Sequence, residues 1–226
     1  MTSDDWDELD GFDLEEWERQ EEERALSPAG IAEQNNHLLR RYRSFRHAAD
    51  AVTASWLDHR DVAATALFGS AASVPWKEVP RFSPYKRAGI QLWHECKDVD
   101  LAVWLTDLGD LDELRRAKDR ALRALQGGAG SSVASHEVDV FILDPATDRY
   151  LGRLCQFNRC PKYKAECEVP GCGATKFLRQ HKGFRWQVKA LVEDRCVRLF
   201  DRATGHLARA ADLALPDEEH AGGDRG

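Results

Sequence analysis

Apolar residues recur along the chain with two different periods, which predict alternating helices and strands. Between Ile31 and Leu57, and again between Leu108 and Leu125, they recur every three to four positions, as on one face of a helix. Three other apolar runs have the length of strands: 62–72, 97–105 and 137–143. The order of helix (or helix pair), strand, helical turn, strand, helix and strand favours an α/β (α+β) fold with a mixed sheet.

The second and third of these runs carry aspartates in otherwise apolar sequence. Asp98 and Asp100 alternate with apolar neighbours, so on a strand both side chains point to one face. Asp139 repeats this arrangement on the next run. Removing carboxylates from water is costly, and the cost becomes tolerable when they share cations or lie at an open strand end. The pattern therefore points to two Mg²⁺ ions, a device used in phosphoryl and nucleotidyl transfer.

The first run leads into Gly69 and Ser70. Glycine lets the backbone come close to a phosphate, and the serine hydroxyl can donate to that phosphate together with the amides of a following helical turn. Such a pair carries little information by itself. It gains weight here because two carboxylates on one strand and a third on the next come after it.

In this order and hydrophobic setting, these residues resemble the nucleotidyltransferase signature of the DNA polymerase β superfamily, especially its small, minimal members. The resemblance covers residues 35–145. It implies a nucleotidyltransferase-type mixed sheet flanked by helices, within a core of residues 28–149. It also implies that a nucleoside monophosphate is moved from an NTP such as ATP to a hydroxyl acceptor, with release of pyrophosphate.

The resemblance assigns each residue a role. Asp98 and Asp100 would bridge two Mg²⁺ ions, or Mn²⁺ in their place. Asp139 would bind the ion that activates the acceptor hydroxyl and would accept its proton. Gly69 and Ser70 would hold the β and γ phosphates of the NTP.

One departure from the family pattern is the long separation between Ser70 and Asp98, which marks residues 73–95 as an insertion. Its three prolines argue against a continuous helix. In one interpretation it binds the acceptor or covers the triphosphate, with its basic residues on phosphate and its tryptophans on a base. In the other it is a solvated loop with an aromatic anchor.

Four cysteines define a second predicted module, residues 150–215. They are spaced as C-x4-C, six residues, C-x4-C, near the upper limit for pairs of zinc-binding thiolates: Cys155, Cys160, Cys167 and Cys172. A structural Zn²⁺ site is the prediction, with an iron–sulfur cluster or free thiols as alternatives. His181 is a spare ligand candidate, and Cys96 and Cys196 are predicted to be packing residues.

Charge is distributed unevenly around a net value of −7. Residues 1–25 carry twelve acids against two arginines, so residues 1–27 are expected to be a flexible acidic tail that solubilises the chain, covers its basic face or recruits a protein partner. Between Tyr150 and Arg202 basic residues outnumber acidic ones more than twofold, which suits a phosphate-bearing partner or a solvated surface. Residues 216–226 are also expected to be flexible.

The hydropathy of the sequence argues against a helical membrane protein. The mean hydropathy is −0.56, no apolar run approaches the length of a membrane span, and the first residues lack the basic-then-apolar layout of a signal peptide. The expected location is therefore cytoplasmic.

The sequence leaves the acceptor open among RNA, a protein hydroxyl and a small molecule such as an antibiotic, with a weak preference for RNA or a nucleotide because of the basic segment. The alternative to an enzyme is a catalytically silent transferase-fold protein that binds RNA or a protein partner through the basic zinc module. A third interpretation treats the three aspartates as strand-end acids that cap helices.

Overall fold

A mixed sheet of seven strands is the central element of the computed structural model. The structure describes four stretches of the chain: residues 13–81, 84–126, 133–192 and 195–220. They divide between two compact units. The larger unit, residues 40–75 and 95–215, contains the whole seven-stranded sheet. The predicted mixed α/β class is confirmed.

The elements of the described residues are short strands and four α-helices. In chain order the strands are β1 (Val62–Phe68), β2 (Lys77–Glu78), β3 (Leu92–Trp93), β4 (Val99–Leu105), β5 (Val138–Leu143), β6 (Tyr150–Leu154), β7 (Leu178–Arg179), β8 (Cys196–Asp201) and β9 (His206–Leu207). The helices are α1 (Leu14–Leu26), α2 (Pro28–Trp56), α3 (Pro84–Ala88) and α4 (Leu111–Gln126). None of these helices combines the length and the apolar character needed to cross a membrane.

Strand order in the large sheet is β7-β6-β5-β4-β1-β8-β9. β4 and β5 are parallel, and α4 lies in the crossover between them, as a parallel pair requires. β1 runs antiparallel to β4. The end of β1 therefore lies beside the beginnings of β4 and β5, at one end of the sheet.

The two faces of the sheet are covered differently. On one face α4 and the second half of α2 pack against alternate residues such as Leu101 and Val103, and Trp56 is fully buried there. Each large side chain buried in this way contributes roughly 1.5–3 kcal/mol to folding. On the other face, Phe141 contacts Phe184 and Trp186 from a stretch without regular structure. The three aspartates lie on this second face by strand alternation.

Residues 150–215, the predicted cysteine-rich module, share a sheet and a compact unit with most of the predicted core. β6 pairs with β5 and β8 pairs with β1, so residues 150–215 complete the same sheet. Without them β5 and β1 would present unpaired edges, and Leu154 and Leu199 would lose their places in the core. Further along the chain, β9 and a 3₁₀ turn (Ala210–Asp212) follow β8.

The smaller unit contains α1, residues 28–39 of α2 and residues 76–94 of the segment predicted to be an insertion. That segment forms β2, α3 and β3, with β2 and β3 antiparallel, so the prediction of no continuous helix is confirmed. Leu38, Tyr85 and Leu92 form its apolar cluster.

Charged and aromatic side chains of this segment have partners within the smaller unit. Lys77 pairs with Glu219 at 2.7 Å and Arg87 with Glu22 at 2.7 Å. The Trp76 ring stacks on His94, with 4.0 Å between ring centroids. These contacts favour an anchored segment over phosphate or base binding by the same groups.

Flexibility was expected for both terminal segments, and the structure corrects part of this. Residues 14–26 form α1, because Asp13 caps the helix by accepting from the Glu15 amide at 3.0 Å and Leu26 joins the apolar cluster. Near the other end, Asn35 donates to the Glu219 carboxylate at 2.8 Å. The rest of both predicted tails, residues 1–12 and 221–226, lies outside the described residues.

Candidate active site

The three aspartates converge at the end of the sheet where β1 finishes. Asp100 and Asp139 are paired in register on the parallel strands β4 and β5. Asp98 lies two residues before Asp100, just ahead of β4. Carboxylate oxygens of the three all lie within 4.8 Å of one another, and Asp98 is exposed while the other two are half-buried. The convergence follows from strand alternation and parallel register alone.

Mutual repulsion and partial burial make this cluster costly when fully charged. Burial, then the charges of Asp98 and Asp139, raises the pKa of Asp100 to about 7. Loss of solvent and the Asp139 charge raise the pKa of Asp98 as well. Asp139 has two side-chain donors, Arg153 Nη1 at 2.5 Å and Gln156 Nε2 at 3.1 Å. Among the described residues, Asp139 has an ion-pair partner in Arg153, whereas Asp98 and Asp100 have none.

Gly69 comes directly after β1 and faces Asp100. Its φ of +77° is a conformation that side-chain-bearing residues rarely adopt, and a methyl group built on it would lie 2.9 Å from Asp100 Oδ2. A 3₁₀ turn (Ser70–Ala72) follows. Within this turn the Ala72 amide donates to the Gly69 carbonyl and the Ser73 amide to the Ser70 carbonyl, at 3.2 Å each. The Ser70 amide makes neither of these two hydrogen bonds. The backbone at Gly69 therefore passes the acidic cluster at close range.

A buried arginine holds this glycine turn in place. Arg46 of α2 is 1% exposed and donates to the Ala71 carbonyl at 3.0 Å and to the Ser73 carbonyl at 3.0 Å. It also donates to the Leu213 carbonyl at 2.8 Å. Each of these carbonyls would otherwise be a buried acceptor without a donor. One side chain thus ties α2, the turn and the end of the larger unit together.

Ser70 has a neighbour that the sequence did not link to it. Its hydroxyl lies 3.1 Å from the Cys96 thiol, which is 2% exposed. Burial raises the pKa of Cys96 to about 11, so the thiol stays protonated at neutral pH. The prediction that Cys96 is a packing residue is confirmed by its burial.

Donor chemistry at the cluster fits hard divalent cations. Carboxylate oxygens are the preferred ligands of Mg²⁺ and Mn²⁺, and three of them within 4.8 Å can serve one or two ions. Cations would also offset the repulsion among the three carboxylates, which adds to burial in raising the pKa of Asp100. Asp139 keeps lone pairs for a metal even while Arg153 and Gln156 donate to it.

Known proteins give no further guide to this chain. Comparison with protein-family models, with curated proteins and with solved structures finds no match. The resemblance to polymerase β-type nucleotidyltransferases therefore rests on Gly69, Ser70 and the three aspartates, and stays an expectation.

The four cysteines of the predicted zinc site form no disulfide bonds: Cys155, Cys160, Cys167 and Cys172. Cys160 Sγ accepts a hydrogen bond from the Phe177 amide at 3.2 Å. In the described part of the chain, the aspartates are the one group of three or more metal-binding side chains whose ligand atoms gather this closely. The Zn²⁺ site, and the role of His181 in it, stays a prediction.

Two residues near the cluster were missed in the sequence. Arg153 lies directly opposite Phe141 on the neighbouring strand. The sequence signal for it was a basic residue within the strand-like run Tyr150–Leu154. Lys118 of α4 is 1% exposed and donates to the Val138 carbonyl at 3.1 Å, next to Asp139. Burial lowers its pKa to about 8. Its signal was a lysine within the apolar stripe of an amphipathic helix.

A concave pocket of about 400 Å³ lies on the same face but at the other end of the strands. Trp104 and Arg198 line it, with the guanidinium 4.0 Å from the ring centroid. Trp104 is four residues from Asp100, roughly 13 Å along a strand. The pocket therefore does not contain the carboxylates, and the candidate chemistry lies outside it.

The raised pKa of Asp100 predicts a specific pH dependence of stability. A carboxyl group with a raised folded-state pKa holds its proton longer than in the unfolded chain, so the free energy of unfolding falls as pH rises from about 4 to about 7 and stays low above that. The expected loss is on the order of 2–4 kcal/mol. Urea unfolding without divalent ions, at pH 4.5, 6 and 8, measures it.

Asp100→Asn should remove the part of this pH dependence that comes from Asp100. The free energy of unfolding of the variant should therefore exceed that of wild type by an amount that grows with pH. Asp58→Asn is the matched control, because Asp58 is exposed and lies ahead of the opposite end of β1. Equal pH profiles for wild type and Asp100→Asn would show that Asp100 titrates normally.

Proposed function

We propose that the protein is a metal-dependent nucleotidyltransferase that moves a nucleoside monophosphate from an NTP to a hydroxyl acceptor and releases pyrophosphate. One observation carries this proposal: the oxygens of Asp98, Asp100 and Asp139 gather within 4.8 Å of one another, beside a glycine with no room for a side chain. The proposed cofactors are two Mg²⁺ ions, with Mn²⁺ as a substitute.

Each residue has a role that its position supports. Asp98 and Asp100 hold the ions from one strand, and Asp139 holds one from the neighbouring strand and takes the proton of the acceptor hydroxyl. The ions supply charge neutralisation for the phosphates and lower the barrier to attack on the α-phosphorus. Gly69 lets the backbone reach the β and γ phosphates, and the Ser70 hydroxyl donates to them.

The helix-capping interpretation of the aspartates has little support. Capping requires a carboxylate oxygen to accept from amides in the first turn of a helix. The described donors to Asp139 are Arg153 and Gln156, which belong to β6 and the residues that follow it. Asp98 and Asp100 instead direct their oxygens at Asp139 and at each other.

A transfer assay tests the proposal. Each of the four NTPs, labelled at the α-phosphorus, is incubated with the protein, Mg²⁺ and total cellular RNA, protein or small-molecule fractions. We expect label to enter one fraction, with pyrophosphate formed in equal amount, and only when a divalent ion is present. No transfer from any NTP in any fraction, with Mg²⁺ or Mn²⁺, would refute an enzymatic role.

The silent binding protein remains a second candidate because of Arg153. Three carboxylates without cations would repel one another, but the guanidinium bound to Asp139 relieves part of this repulsion. The two functions differ in how NTP binding responds to Mg²⁺. A nucleotidyltransferase binds NTP more tightly with Mg²⁺, whereas a silent protein that has lost its ions binds it equally well, or not at all, in both conditions.

A further inference from the structure

Two arginines follow the acidic cluster across the sheet, on the same face. Asp139 and Phe141 share that face because they are two residues apart on β5. Arg153 pairs directly with Phe141, and Arg179 pairs directly with Arg153 across β6 and β7. Directly paired residues of antiparallel strands point to the same side. Strand register therefore places Arg153 on the strand next to Asp139, and Arg179 one strand further along the same face.

Only one of these two arginines has an acidic partner among the described residues. Arg153 has Asp139 as its partner, at 2.5 Å. Arg179 makes no ion pair and no side-chain hydrogen bond with another described residue; its recorded side-chain contact is the Phe157 ring, 6.0 Å away. Like charges directly opposite each other destabilise a sheet. An anion bound between the two guanidiniums would remove that penalty.

Three buried hydrogen-bond donors on Arg153, Arg179 and Trp186 also lack acceptors among the described residues. The Nε atoms of Arg153 and Arg179 and the indole Nε1 of Trp186 are buried without a hydrogen-bond partner among the described residues. Such donors cost free energy unless a ligand or water satisfies them. Burial and the two guanidiniums also lower the pKa of His181, which marks the surroundings as positive.

Aromatic rings lie against the Arg153 guanidinium. Arg153 lies 4.2 Å from the Phe141 ring centroid and 4.9 Å from that of Phe184. Trp186 and Tyr150 stack, with centroids 5.8 Å apart, and all of these rings except Phe141 are only partly buried. Rings of this kind provide faces for a nucleobase, whereas a phosphorylated protein side chain would make no use of them.

The order of the strands places Arg153 and Arg179 on the side of the aspartates where the acceptor would bind. In the sheet β1, with its glycine turn, lies on one side of β4 and β5, and β6 and β7 lie on the other. If the NTP phosphates lie against Gly69, the arginines flank the opposite side of the aspartates, next to Asp139.

We propose that the acceptor is a nucleotide, free or at the end of a single strand, whose phosphate is bound by Arg153 and Arg179 beside the hydroxyl that reacts. This rests on the proposed function. Two guanidiniums would repel a cationic antibiotic and would gain nothing from a neutral protein hydroxyl, so these acceptor classes are disfavoured. Arginine's planar fork suits phosphate oxygens, which it binds in pairs.

Binding without turnover tests the inference. A five-nucleotide single-stranded RNA, labelled with fluorescein at its 5′ end, is titrated with the protein in Mg²⁺ and without NTP, and anisotropy is recorded. Arg179→Gln should raise the Kd at least about tenfold, since a charged hydrogen bond to phosphate is lost. Arg179→Lys should give an intermediate Kd. Arg149→Gln, at the other end of β6, should change the Kd less than about twofold.

Competitors identify the chemistry of the ligand. AMP that displaces the RNA at a similar concentration indicates a free nucleotide acceptor, and much weaker displacement indicates a strand end; both support the inference. A phosphoserine peptide that displaces the RNA as well as AMP does would overturn it. So would a Kd that is equal in wild type and Arg179→Gln, with melting temperatures confirming that both are folded.

The two proposals fail in different ways. If wild type transfers label from an NTP but binds the RNA and AMP independently of Arg179, the acceptor inference falls and the nucleotidyltransferase stands. If binding depends on Arg179 but no NTP gives transfer, the acceptor role falls together with the enzyme, and a nucleotide-binding protein is left.

Discussion

Asp100→Asn is expected to lower the rate of nucleotidyl transfer by about a thousandfold or more, while the variant stays folded. Asp100 shares the acidic cluster with Asp98 and Asp139 and faces Gly69, so its replacement would remove a ligand proposed to serve both ions. Divalent ions contribute several kcal/mol to stabilising charge in such reactions, and each 1.4 kcal/mol corresponds to a factor of ten in rate. Initial rates of label transfer at saturating NTP measure the effect.

Stability separates loss of chemistry from loss of fold in this experiment. Asparagine has nearly the same shape as aspartate and carries no charge. It therefore avoids the burial cost and the repulsion that raise the pKa of Asp100, so the variant should be at least as stable as wild type at pH 8. Asp58→Asn should keep wild-type rates. A folded Asp100→Asn variant with more than about a tenth of the wild-type rate would show that the cluster does not hold catalytic ions.

Arg46→Ala is expected to lower the free energy of unfolding by about 3 kcal/mol or more. The guanidinium is buried and serves carbonyls of the glycine turn and of residues 213–214. Truncation leaves those acceptors buried without donors and opens a cavity in the core. Urea unfolding measures the loss.

Two variants make this result specific. Arg46→Lys should recover only a small part of the stability, because one ammonium cannot serve carbonyls on separate segments as the guanidinium fork does. Arg40→Ala, on the exposed side of α2, should change stability by less than about 0.5 kcal/mol. A loss of under 1 kcal/mol in Arg46→Ala would mean that water replaces the guanidinium without penalty.

The core of the fold was accessible from the sequence because its signals are local. The periodicity of α2 and α4 and the three apolar runs of β1, β4 and β5 identified these elements and their order. Alternation placed Asp98 and Asp100 on one face before any register was known. Their meeting with Asp139 needed only that β4 and β5 be parallel neighbours, which the intervening helix favours.

Other parts depend on pairings between distant residues. The partnership of β8 with β1 joins residues more than 120 positions apart, and the cysteine spacing drew attention to a separate module instead. Arg153 and Arg179 become neighbours only through the registers of β5, β6 and β7. Asp13 and Glu219 are held by capping and pairing contacts, which an acidic composition does not reveal.

Counting bound Mn²⁺ by electron paramagnetic resonance, in the presence of a non-hydrolysable NTP analogue, tests the central claim most directly. We predict that wild type binds two more Mn²⁺ ions than Asp100→Asn, and that Asp58→Asn binds as many as wild type. Equal Mn²⁺ stoichiometry and affinity in wild type and Asp100→Asn would contradict the claim that these carboxylates form a metal site for nucleotidyl transfer.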